Sequence, residues 1–171
     1  VAVCVMAVII HVAQGNGTVN GTSPAPTPLP SAGRPGEVYA VGGLLCYTFT
    51  RITMAGQLKS LKMFGGVNPD PWLGAWFSDT ILGILTPFAI YAAFALEGPV
   101  TWGLLLAFNS IGAFDYAHGL LAQYMHPQVT MVGGAPAKPV AVYGSIGLGL
   151  LFQLINIALL LTPNVVRYFT D

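Results

Sequence analysis

Residues 72–96, WLGAWFSDTILGILTPFAIYAAFAL, and residues 100–124, VTWGLLLAFNSIGAFDYAHGLLAQY, are separated only by Glu97-Gly98-Pro99. Each run is apolar and long enough to cross a hydrocarbon core, which takes about 20 residues of helix. A connection of three residues forces two such helices to lie side by side and antiparallel. The centre of the chain therefore reads as a helical hairpin with its turn at Gly98.

Further apolar segments flank the hairpin. Tyr39–Gln57 precedes it and Pro139–Leu161 follows it. Val1–Ala13, VAVCVMAVIIHVA, is short for a span and reads as the end of a first helix, with the core of a signal peptide as the alternative. The expected fold is all-α: a polytopic transmembrane helical bundle of four to five spans (about 1–13, 39–57, 72–96, 100–124 and 139–161) in antiparallel hairpins, making one membrane domain of residues 1–171.

Composition supports that solvent. Of 171 residues, 54% are apolar and 7% charged, against about 25% charged in soluble domains. Mean hydropathy is +0.70. The formal net charge is zero and no basic run exists, so neither nucleic acid nor an anionic-lipid patch has a surface to bind. Cys4 and Cys46 lie apart in apolar stretches and imply neither a disulfide framework nor a metal motif.

Residues 14–36, QGNGTVNGTSPAPTPLPSAGRPG, hold five of the thirteen prolines and read as an extramembrane, partly polyproline loop. The sequons at Asn16 and Asn20 would be used only in a eukaryotic secretory pathway, and chance is the favoured account, since Gly, Asn and Thr are common in any such loop. Lys59, Lys62 and Lys138 fall on one side of the expected topology and Arg34 and Arg167 on the other. The positive-inside tendency then puts the Pro-rich loop on the outer side.

Ionisable groups inside spans are costly and mark candidate sites. Arg51, Asp79 and Asp115 qualify. Asp79 lies 19 residues before Gly98 and Asp115 lies 17 after it. At about 1.5 Å per residue their heights differ by about 3 Å. Arg51, eight residues before Lys59, reaches the same layer. His118 follows Asp115 by three positions and is expected on the same helix face. One Arg against two carboxylates leaves an excess acid, so one Asp pairs with Arg51 as its counter-charge while the other is the candidate proton or ion carrier, with His118 as relay. The simpler account is a structural ion pair that specifies packing.

A weaker candidate is metal or cofactor ligation by Asp115, His118 and His126. Their spacing matches no zinc or copper signature. His11 adds a histidine that, paired at matched depth with one on another helix, would suit a haem or chlorin. Asn109, Gln153 and Asn156 are expected to hydrogen-bond between helices, Gly144, Gly147 and Gly149 to permit close approach, and Pro87 to kink its helix and release a carbonyl near Gly83. Trp72 and Trp76 read as interface aromatics. No nucleophile elbow, phosphate loop, HExxH or histidine box is present.

Ser78-Asp79-x3-Gly83-x3-Pro87 followed by Asn109-x2-Gly112-x2-Asp115 resembles small bacterial four-helix integral membrane proteins of no assigned activity. Those have Gly where Ser78 stands and Trp where Phe108 stands. The resemblance implies pairing of the two Asp-bearing helices and carries no activity.

Two functions follow from the sequence. One is an accessory or packing subunit of a larger membrane complex, in contact with lipid and with other subunits or copies of itself, that holds lipid, quinone or pigment. The other is a small proton-coupled transporter or channel-like protein using the buried layer. Neither calls for catalysis, and a membrane enzyme is the less favoured alternative. They differ in water: a transport site must be reached by it, whereas a structural ion pair is dry.

Overall fold

The computed structural model describes residues 33–59, 69–130 and 135–171. The segment 1–13, with His11, the sequons and Lys62 all lie outside the described residues. The helices belong to the unit Pro35–Asp171, and within it the described residues are helical apart from connections and one isolated bridge between Thr130 and Pro136.

Helix α1 is Gly36–Thr48; a 3-10 turn, Phe49–Thr53, leads to the short α2, Met54–Lys59. Helix α3 is Asp70–Ala95, α4 is Pro99–Met125, α5 is Pro139–Leu160 and α6 is Pro163–Thr170. Proline stands in the first turn of α3, α4, α5 and α6, where its fixed φ suits the helix and its missing N–H costs nothing. Gly98, at φ 96°, makes the turn between α3 and α4, a left-handed conformation that only glycine adopts without strain.

Four helices pack in a ring, α1 against α3, α3 against α4, α4 against α5 and α5 back against α1. Contacts between opposite ends fix the antiparallel sense. The Trp72 Nε1–H at the start of α3 donates to the carbonyl of His126 just past α4 (2.7 Å), and that of Trp102 near the start of α4 donates to Leu160 at the end of α5 (2.8 Å). The end of the ring nearest Gly98 is filled by an apolar core including Val41, Leu45, Leu82, Ala93, Leu105 and Leu160, closed by Val165 and Phe169 of α6. A smaller cluster of Trp72, Trp76 and Ala122 occupies the other end.

Helix boundaries fall close to the expected spans, with two differences. The segment expected as one helix over 39–57 is interrupted at 49–53. There Thr50 donates its hydroxyl to the Tyr47 carbonyl (2.7 Å) and Thr53 to that of Thr50 (2.8 Å), three-residue reaches that accompany the tightened turn. Trp72 and Trp76 face inward rather than marking an interface; they are buried and stacked with centroids 5.5 Å apart. Helix α3 continues through Pro87. Helices α3 and α5 are each long and apolar enough to cross a membrane.

Candidate functional site

The 3-10 turn puts Arg51 inside the ring. Its side chain is 2% exposed. A close approach of backbones makes this possible: a Cβ added to Gly83 of α3 would lie 2.7 Å from Ile52 Cα and 2.9 Å from the Arg51 carbonyl carbon. Only a residue without a side chain lets the turn press so near.

The guanidinium meets both carboxylates. Arg51 Nε lies 2.9 Å from Asp79 Oδ1 and Nη2 lies 3.3 Å from Asp115 Oδ2. Nη2 also donates to the Gly112 carbonyl at 3.2 Å, and the Tyr116 ring centroid sits 3.7 Å from Cζ, within cation–π range. The layer inferred from helix lengths therefore exists, but Arg51 is shared between the two acids rather than allotted to one.

The acids are not equivalent. Asp115 accepts a hydrogen bond from the Ser78 hydroxyl of α3 as well as its contact with Arg51. Asp79 Oδ1, though close to Nε, is not aligned with it as a hydrogen bond and has no other partner among the described residues. Its side chain is 17% exposed, against 6% for Asp115. Asp79 is thus the more exposed carboxylate, and its Oδ1 meets Arg51 through Coulomb attraction without an aligned hydrogen bond.

Beside the layer lies a cavity of about 250 Å³. Arg51, Asp79 and Asp115 line it, together with rings of Tyr47, Trp72, Trp76 and Tyr116, while α5 contributes Val142, Ser145 and Ile146. Apart from Tyr47, which lies one turn nearer the Gly98 end than Arg51, these positions lie at the charged layer or between it and the end of the ring that carries Trp72 and Gln128. In the other direction a second polar layer closes the ring. Gln153 donates to the Thr48 hydroxyl (3.1 Å), Asn156 donates to Asn109 Oδ1 (2.9 Å), and Asn109 donates to the Leu105 carbonyl (2.8 Å). The first two are the interhelical bonds expected of the three amides, and the third lies within α4. Gly112 makes room for Gln153 and Gly149 for the Tyr116 ring, while Gly144 and Gly147 face open space.

His118 and His126 do not join the site. His118 is exposed and lies against Gly74; it is absent from the cavity wall. Three residues turn a helix by about 300°, which leaves His118 about 60° round from Asp115, enough to point it out of the ring. His126 is past the end of α4, with its carbonyl taken by Trp72. No group of three His, Cys, Asp or Glu among the described residues is placed to hold a metal ion, so Asp115, His118 and His126 form no such centre. Residues that sequence reasoning missed are Ser78, Tyr116 and the Gly112 carbonyl. The first and last sit inside the quoted motif, and Gly149 opposite a large aromatic was the one available signal for Tyr116.

Comparison with protein-family models, curated proteins and solved structures found no match.

Proposed function

We propose that the protein is a polytopic membrane bundle, with α1–α2, α3, α4 and α5 as spans, that works as a small proton-coupled carrier through Asp79. The observation that carries this reading is the cavity at the charged layer: Asp79 lines it and its Oδ1 has no aligned hydrogen-bond donor among the described residues, which leaves room for the water that a dry, purely structural ion pair would exclude. The polarity of the ring agrees. Arg51, Asn109, Asp115, Gln153 and Asn156 are inside, while Phe114, Tyr124 and Val140 are 76%, 77% and 84% exposed. That many outward apolar side chains suit lipid tails, since soluble monomers rarely expose contiguous apolar patches above a few hundred Å². The resemblance of the α3–α4 hairpin to small bacterial four-helix membrane proteins belongs to the same proposal.

Proton entry at Asp79 is balanced by its charge: with Arg51 shared, one carboxylate is in excess, and a proton neutralises it. Liposomes holding the purified protein and a trapped pH-sensitive dye test this under an imposed potassium diffusion potential. Wild type and Gly103→Ala, whose added methyl meets open space, should take up protons, and Asp79→Asn should not. Equal flux in all three, or none in wild type, would leave the layer as a packing device and favour the accessory-subunit reading.

A further inference from the structure

The charge count of the layer limits what the cavity accepts. Two carboxylates face one guanidinium, and among the described lining residues Arg51 is the only basic one. With both acids ionised the cavity therefore carries one negative charge. An anion is repelled, and a neutral guest leaves that charge uncompensated, which a low-dielectric interior penalises. A monocation resolves it. The walls add a second constraint, because Tyr47, Trp72, Trp76 and Tyr116 all contribute rings, and aromatic rings attract organic ammonium groups through their quadrupoles. Size adds a third: about 250 Å³ is below the roughly 300–1,000 Å³ of sites for drug-sized ligands. The guest is a molecule of about one ring.

We infer that the cavity binds a small, partly apolar organic monocation of the quaternary-ammonium type, with its charge against Asp79 and its apolar body among the aromatic rings. The inference rests on the carrier reading and supplies its substrate class: cation and proton compete for the one excess charge at Asp79. The titratable groups around Asp79 are Arg51 from the 3-10 turn, Asp115 and Tyr116 from α4 and Tyr47 from α1; α5 brings none to the cavity.

The test is calorimetric titration of the full chain in detergent micelles with benzyltrimethylammonium, its uncharged carbon isostere neopentylbenzene, and benzenesulfonate. The cation should bind saturably and at least tenfold more tightly than either comparison compound. Asp79→Asn should weaken it at least tenfold, and Tyr47→Leu, which leaves every charge in place, severalfold. Equal affinity for the isostere would reduce the cavity to an apolar pocket. Tighter binding of the sulfonate would make Arg51 the recognition group, and absence of saturable cation binding would end the proposal; each of these overturns it. Because the three compounds are compared on wild type, the outcome does not depend on either variant folding. Proton flux through Asp79 without cation binding overturns this inference and leaves the carrier reading standing, whereas cation binding without flux does the reverse.

Discussion

Replacing Arg51 by leucine removes the one positive charge from a site where its side chain is 2% exposed and strands two carboxylates. Breaking a buried ion pair from one side costs about 3–5 kcal/mol. Here the guanidinium also gives up its bond to the Gly112 carbonyl and its stacking on Tyr116, so the upper part of that range is expected. Asp115→Asn alone should cost less, about 1–3 kcal/mol, because the Ser78 hydroxyl still has an oxygen to bond. Asp79→Asn should cost least, since its Oδ1 has no aligned hydrogen bond to lose and its side chain is the more exposed of the two. Arg51 touches both acids, so double-mutant cycles of Arg51→Leu with Asp79→Asn and with Asp115→Asn should each show coupling within about 0.5–3 kcal/mol. The triple variant, free of stranded charge, should recover most of the Arg51→Leu loss. Equilibrium unfolding in mixed micelles, followed by tryptophan fluorescence, measures all of these. If both cycles are additive within about 0.5 kcal/mol, the charges do not interact and the site described here is wrong.

Gly83→Ala should destabilise by about 1–3 kcal/mol through overpacking, because its methyl meets the backbone of Ile52 and Arg51, whereas Gly103→Ala should be neutral or stabilising by up to about 1 kcal/mol; the same unfolding assay separates them, and equal effects would refute the close approach. In a background with Cys4 and Cys46 replaced, Ser31→Cys should react with an impermeant thiol reagent from outside intact cells and Ser60→Cys should not, with the reverse pattern overturning the orientation but not the shared depth of the layer.

The depth of that layer was legible because it needs only residue counts from a short turn: Asp79 and Asp115 sit at matched distances from Gly98, and any tight hairpin brings them level. Azimuth was harder to read. His118 is three residues from Asp115 and still points away, since the ring interior accepts only a narrow arc of each helix. The break at 49–53 was hidden for a different reason. Thr50, Ile52 and Thr53 sit comfortably in an apolar helix by composition, and the turn tightens through side-chain bonds to the Tyr47 and Thr50 carbonyls together with contact with Gly83, a residue 31 positions beyond Ile52. Trp72 and Trp76 misled in the same way, because a tryptophan near a helix end has the same sequence signature whether it faces lipid or stacks on another tryptophan.

Along α4 the amide of Gln153, at the level of Gly112, lies about 4.5 Å beyond the carboxylates and the paired amides of Asn109 and Asn156 about 9 Å, judged from the three and six residues that separate Gly112 and Asn109 from Asp115. Unlike an acid or an imidazole, an amide does not pass a proton on at ordinary pH, and these are fully enclosed. Inside the ring the charged layer is thus backed by a layer of buried amides. Under the carrier reading, a proton that reached Asp79 from the Trp72 end would meet that layer behind it, which would oppose leakage of a gradient through the ring in this conformation.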